Sequence, residues 1–401
     1  MPGFYLNDIF IAGKSKEGAV NNFDKFFARV VASGDRFFRA KNNVTIKAPL
    51  PNAGETGVID SVTYTKITGL GDLAYVGGSV SESQAVTTGV TDMSGWFWDG
   101  NFGSVDNSMD INHWDTSSVT TMERMFFEGS YNKPIGAWDV SNVTNMSNMF
   151  GANFNPNGNA FNQDISGWDV SKVVDMSNMF KDASSFNQDI SFWDVSNVLN
   201  MQSMFRNASS FNQNIGGWNV SNVTNMSFMF GGDFAAFNQD IGNWDVSNVT
   251  TMRAMFNAAV SFNQDIGGWD VSNVTDMQSM FLFASTFNQD IGGWDVSNVE
   301  DMRFMFDNAT AFNQDISNWD FSSINTSNLG GGFGSFLDDT SMSIANYDAL
   351  LISLSNQADS GTLASNATFG AANINYSSAA VAARNNLTDN YGWQITDGGL
   401  V

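Results

Sequence analysis

FNQDISGWDVSKVVDMSNMFKDASS, residues 161–185, is followed at once by FNQDISFWDVSNVLNMQSMFRNASS, residues 186–210. Anchored on tryptophan, the pattern recurs at Trp114, Trp138, Trp168, Trp193, Trp218, Trp244, Trp269, Trp294 and Trp319, with spacings of 24, 30, 25, 25, 26, 25, 25 and 25 residues. A fixed period of this size is the signature of a repeat architecture, in which each unit buries its apolar face only by stacking on its neighbours. The array begins before the first repeat tryptophan, because Val90-Thr-Asp-Met93-Ser-Gly-Trp96-Phe97 aligns with Val173-Val-Asp-Met176-Ser-Asn-Met179-Phe180. It fades after Ile324 into the glycine-rich GGGFGSF of residues 330–336, and residues 154–160 and 231–236 carry insertions.

The apolar letters of one unit are Phe161, Ile165, Trp168, Val170, Val173, Met176, Met179, Phe180 and Ala183. Ile165-x-x-Trp168-x-Val170 has the form of the short strand in a leucine-rich repeat, with Asp169 pointing outward between two inward side chains. Met176, Met179 and Phe180 have the i, i+3, i+4 spacing of one helical or 3₁₀ turn packed behind that strand. The predicted fold is therefore a solenoid, leucine-rich-repeat-like, with one short parallel strand and one helical turn per repeat and a strand spacing of about 4.8 Å. Residues 1–86 do not repeat and read as a small α+β or β-rich head: a helix over 22–32, a strand over 36–48 and another over 57–68. Residues 87–329 form the array of nine to ten repeats. Residues 330–401 read as an α/β C-terminal cap with helices over 346–354 and 378–387 and a strand-like tail, since a repeat array must cover its open end.

WDVSNVTDMSNMF and FNQDI, repeated over more than half of the chain, resemble the bacterial surface-protein 26-residue repeat, the BspA-like branch of leucine-rich-repeat proteins. The closing AAVAARNNLTDNYGWQITDGGLV is similar to the usual C-terminal end of that family. One departure is the Asn of SNV (142, 197, 222, 248, 273, 298), which sits one place early against the leucine-rich form. The resemblance implies cell-surface adhesion and partner recognition without catalysis, and such repeats are also at home in phage genomes.

Charge is unevenly placed within a net of −24. Residues 1–70 hold nine Lys/Arg against six Asp/Glu, while the remainder holds eight against 35. An acidic body excludes nucleic acid, which needs a basic footprint. Lys25, Arg29, Arg36, Arg39 and Lys41 make the head a candidate anchor, for a virion or for assembly with further copies. No 18-residue apolar stretch spans a membrane, no basic and then apolar leader marks a signal peptide, and without cysteine there is no thiol chemistry.

Asp169, Asp194, Asp245, Asp270 and Asp295 form a ladder after the tryptophans, and Asp164, Asp189, Asp240, Asp265, Asp290 and Asp315 form a second. Like charges one rung apart repel by roughly 0.8 kcal/mol even in water. Either calcium between rungs or hydrogen bonds from local N–H and Ser hydroxyl groups would offset this. Asn214 and Asn219 interrupt both ladders in an otherwise normal repeat, which favours the hydrogen-bond account and no cofactor. The paired methionines read as core filler and the lone His113 as a surface residue. N-V-T sequons at Asn142, Asn222, Asn248 and Asn273 follow from the repeat. The broken Thr144, Thr224, Thr250, Thr275 column is too irregular for an ice-binding face. Carboxylates in repeated, equivalent environments do not make the unequal pair a glycosidase needs, and nothing in the pattern points to an enzyme.

Letters that vary against the constant frame are the candidates for contact with a protein or a cell-surface glycan: Phe192, Phe228 and Phe304, with Arg253 and Arg303. The expected role is a non-enzymatic surface-display or structural protein, a phage virion appendage held by its head and exposed outside the cell. The alternatives are a bacterial surface adhesin, or a self-assembling subunit whose basic head docks on the acidic body of a neighbour.

Overall fold

Residues 190–211 run as a series of β-turns. The N–H groups of Trp193, Val198, Met204, Arg206, Ala208 and Phe211 return to the carbonyls of Ile190, Val195, Met201, Ser203, Phe205 and Ala208, at 2.9–3.1 Å. The apolar residues that open and close these turns, from Ile190 to Phe211, are at most 4% exposed. The two central residues of a turn face away from its ends, so a 3-residue apolar spacing repeated around the unit encloses a core. The computed structural model describes residues 4–6, 9–11, 38–40, 45–48, 52–72, 81–98, 109–153, 159–232, 236–327 and 332–401.

Successive units pair in parallel and in register. Isolated bridges join Asp92 to Thr121, Thr121 to Asn145, and so on through Asp175, Asn200, Asn225, Thr251 and Asp276 to Asp301. From each bridge the pairing continues into the turns. The N–H groups of Met201, Ser203, Phe205 and Asn207 reach the carbonyls of Asn225, Ser227, Met229 and Gly231 on the next rung. The carbonyls of Asn200, Gln202, Met204 and Arg206 accept from Met176, Asn178, Phe180 and Asp182 on the rung before. Alternate N–H groups close turns within the rung, so this buried stretch of backbone is fully paired.

These contacts correct two sequence expectations. Ile165 to Val170 is not a strand: it holds the Ile165–Trp168 turn, and strand-like pairing sits five residues later at Asp175. Met176 to Phe180 is not helical either. Asn178 has φ +56, and the equivalent Ser203, Phe228, Ala254, Ser279 and Phe304 have φ between +52 and +59. A left-handed residue at the third position of a turn reverses the chain without helical rise, so Met176, Met179 and Phe180 still all face inward.

Aromatic rings form continuous columns along the stack. Phe150, Phe180, Phe205, Phe230, Phe256, Phe281 and Phe306 follow one another at centroid separations of 5.6–5.9 Å. A second column runs from Phe161 to Phe312 at 6.0–6.4 Å. Each interior tryptophan donates its indole N–H to an isoleucine carbonyl one rung back, for example Trp193 to Ile165 (3.2 Å) and Trp218 to Ile190 (3.1 Å). Burying an indole requires such a partner.

In the head, β1 (Phe4–Leu6) pairs with β2 (Ile9–Ile11), and β3 (Phe38–Arg39) with β4 (Ile46–Lys47), both antiparallel. The single strand expected over 36–48 is thus two short strands, and the helix expected over 22–32 lies outside the described residues. β5 (Thr56–Ile59) and β6 (Val62–Lys66) form a hairpin that β7 (Ala85–Val86) extends in parallel. Ile67 and Ala85 belong to the same continuous core as the repeats. The Ile46 N–H bonds the His113 carbonyl at 2.8 Å, and Lys47 Nζ lies 3.3 Å from the buried Asp115 carboxylate. Ile46, Lys47, Ile67 and Ala85 therefore pack against the first rung.

At the other end, residues 332–339 accept the last rung, and Phe333 bridges to Phe369 in β8 (Thr368–Tyr376), which pairs in parallel with β9 (Gln394–Leu400). Helix α1 (Ile344–Asp359) starts on an N-cap at Ser343 and buries Tyr347, Leu350, Leu351 and Leu354. Helix α2 (Val381–Asn385) continues into a π-turn over Asn386–Asn390.

Candidate interaction surface

Outward residues of each rung are organised by side chains that act as turn supports. In FNQ, the Asn162 Oδ1 accepts from the Asn187 N–H (3.0 Å) and the Gln188 amide (2.9 Å) of the next rung. The same pair recurs at Asn187 with Asn212 and Gln213, at Asn238 with Asn263 and Gln264, and at Asn288 with Asn313 and Gln314. Asn313 ends the series by accepting instead from the Ser343 N–H (2.7 Å) and the Asn346 amide (3.0 Å) of α1. The helix start thus takes the place of another Asn-Gln pair.

The Asn of SNV forms a further ladder: Asn197, Asn222, Asn248, Asn273 and Asn298 each donate 2.7 Å to a serine carbonyl one rung back. Asn142 does likewise to Ser117 at 2.9 Å. The sequon nitrogens at 142, 222, 248 and 273 are therefore already engaged in holding rungs together.

Both aspartate ladders support corners. Oδ1 of Asp169, Asp194, Asp245, Asp270 and Asp295 accepts the N–H of the serine two residues on, at 3.1 Å. The Ser247 and Ser272 hydroxyls add bonds of 2.6 Å to Asp245 and Asp270. In the second ladder Asp164 accepts from the Ser166 N–H (2.9 Å) and hydroxyl (2.7 Å), and Asp189 from the Ser191 N–H (2.9 Å). Serine hydroxyl and then N–H bonds hold Asp164, Asp189, Asp194, Asp270 and Asp295 below the usual carboxylate range, opposed for Asp189 and Asp295 by the charge one rung away. Asn219 and Asn214 receive the same bonds, at 3.2 Å from Ser221 and 3.0 Å from Gly216. The carbonyl oxygen is what the turn requires; the charge is additional. Among the described residues no group of three or more His, Asp or Glu is placed to hold a metal ion.

The singled-out contact residues lie on different turns. Phe192 is 86% exposed at the Ile190–Trp193 corner. Phe228 and Phe304 lie between the methionines, each in the left-handed region. Phe228 is half-buried with the Arg206 guanidinium 4.7 Å over its ring, and Phe304 is 37% exposed. Arg253 is exposed, 4.0 Å from Asp276, whereas Arg303 is held by Asp301 at 2.9 and 2.5 Å. Burial raises the Asp276 pKa, with the Gln278 N–H, Arg253 and Arg303 opposing it. Sequence reasoning missed Phe283, 49% exposed and left-handed at φ +59; its signal is that equivalent positions hold Asp182, Asn207 and Asn308. His113 corrects an expectation: it is buried, with Nε2 2.9 Å from the Ala85 carbonyl and its ring 5.5 Å from Tyr64. Lys25, Arg29, Arg36 and Lys41 lie outside the described residues, and Arg39 is placed by its backbone in β3.

A family described as a Mycoplasma protein of unknown function, DUF285, matches residues 80–159, 153–235 and 231–333. The chain belongs to this family. Its three consecutive matches cover the stacked rungs, so the DUF285 unit and the rung geometry describe the same part of the protein. No curated protein and no solved structure matches the chain. Among the described residues no helix is long and apolar enough to cross a membrane.

Proposed function

We propose that this DUF285 protein is a non-enzymatic recognition and display element, its rungs forming a leucine-rich-repeat-like solenoid of the BspA-like kind. The observation that carries this reading is the division of labour within each rung. Inward letters build the core, Asn, Gln and Asp support turns and neighbouring rungs, and a few outward positions are free to differ between rungs, as at Phe192. A repeated scaffold with variable outward positions serves binding, since each position can be changed without disturbing the core. The acidic rungs keep such a surface soluble, and the basic residues of the head are its attachment. The setting that fits is the outside of a virion or a cell.

The test replaces Lys25, Arg29, Arg36, Arg39 and Lys41 together by glutamate in the producing host. The variant is expected to leave the particle or surface fraction while the purified protein keeps its circular dichroism and melting temperature. A variant that stays attached overturns the anchoring role.

A further inference from the structure

The corner residue of the Ile190–Trp193 turn is Phe192; its equivalents on other rungs are Ala137, Gly167, Gly217, Asn243, Gly268, Gly293 and Asn318. Packing does not demand small residues there, because a Cβ at Gly167, Gly217, Gly268 or Gly293 would meet nothing within 4 Å. Nor does packing demand a phenylalanine, since 86% of its surface is in water. With glycine on the rung before and the rung after, no side chain at this position flanks either side of the ring.

The corner is bracketed by carboxylates whose orientation is set. Asp189 lies three residues before Phe192 and accepts the N–H of Ser191, the other central residue of the same turn, at 2.9 Å. Asp194 lies two residues after and accepts the Ser196 N–H at 3.1 Å. Asp164 and Asp169 occupy the same places one rung back. Both Asp189 and Asp194 are held ionised below the usual range by their serines. Each carboxylate has acceptor capacity beyond the bonds from its serine.

An exposed aromatic ring with an oriented carboxylate three residues before it and another two residues after it has the chemistry that binds an organic cation: the ring quadrupole attracts it and the carboxylates take its N–H donors. We propose that the Phe192 corner docks an extended lysine- or arginine-rich segment of a partner protein. This rests on the recognition reading above and narrows it to one surface and one partner chemistry. Charge complementarity favours this occupant over a neutral one, because residues beyond position 70 carry eight basic groups against 35 acidic ones. The period of the stack presents further carboxylates to successive basic residues of an extended chain.

The experiment measures binding of a lysine octapeptide and of cellohexaose to the full chain by calorimetry, at low and at moderate salt. Phe192→Gly is the discriminating variant, because glycine stands at this place on both adjacent rungs and its melting temperature should not change. Asp189→Asn with Asp194→Asn keeps the turn bonds, as Asn214 and Asn219 do. Both variants should weaken the octapeptide about five- to ten-fold, and Phe304→Ala should not. Equal octapeptide binding by Phe192→Gly reduces the effect to the general acidic field and overturns the proposal. So does cellohexaose binding that Phe192→Gly abolishes, which would assign the corner to a glycan. Self-association of the wild type that Phe192→Gly abolishes would assign it to a second copy, and also overturns it. A head variant that stays attached overturns the anchoring role and leaves the octapeptide result standing, so the two readings fail separately.

Discussion

Trp218 shows how much one side chain does in a rung. Its ring is 4% exposed, and its N–H reaches the Ile190 carbonyl, which also holds the Trp193 N–H. Trp218→Phe keeps an aromatic ring and leaves that carbonyl with one bond. The expected loss is a net hydrogen bond of about 0.5–1.5 kcal/mol plus a small cavity. Trp218→Ala should cost roughly 3–5 kcal/mol. Urea unfolding followed by circular dichroism separates the two; equal losses would remove the role given to the indole N–H. The left-handed residues belong at this scale too. Asn178 and Asn207 suit that conformation, whereas Phe228, Phe283 and Phe304 hold it at a cost of about 1 kcal/mol or more. Phe283→Asn should therefore raise the melting temperature, because the position keeps its backbone and loses a strained, half-exposed ring; a fall in melting temperature would sink this account.

Within an element, the aspartate corners can be tested through charge. Asn214→Asp with Asn219→Asp completes both ladders while keeping the turn bonds. The double variant should melt lower at low ionic strength and approach the wild type at 1 M salt, where screening shortens to about 3 Å. An unchanged difference across that range would mean the effect is not repulsion. The same corners set the acid response. The native pKa values of Asp164, Asp189, Asp194, Asp270 and Asp295 are lowered from 3.8. Their contribution is present above the unfolded value and is lost as pH falls through the lower folded values. Asp276 and Asp307, raised by burial, act oppositely: they favour folding more as the pH falls through their raised values toward 3.8. The larger set should dominate, giving a melting temperature that falls below about pH 4, read in a thermal scan from pH 6 to pH 2. The apolar frame of these rungs was legible because each inward letter recurs. The turn conformation was not, because i, i+3, i+4 spacing fits a helical turn and a run of β-turns equally well, and only the φ sign at Asn178 tells them apart.

For the whole molecule the two ends matter most. Among the described residues one core runs from Ile67 to Trp393, so the residues that close it at each end are part of it. Deleting residues 340–401 removes α1, β8 and β9 and uncovers the buried Phe333 and Phe336, which pack on Phe369 and Trp393. That truncation should aggregate in size-exclusion chromatography while the full chain elutes as a single species; a soluble, cooperatively folding truncation would contradict the capping role. At the first rung, Asp115 of the repeat ladder receives Lys47, and the opposite Asp115 oxygen has no partner. Lys47→Met would leave a buried unpaired carboxylate, a loss of about 3–5 kcal/mol. Period, inward letters and the charge split between head and body were determined by the sequence alone, because each recurs or sums along the chain. Where the parallel pairing sits, that Asn, Gln and Asp bond across and within rungs, that His113 and Asp115 are buried, and that α1 completes the Asn-Gln series at Asn313 were decided only in three dimensions. Hydrogen-bond partners one rung apart are about 25 residues distant, and no local preference of either residue records the other.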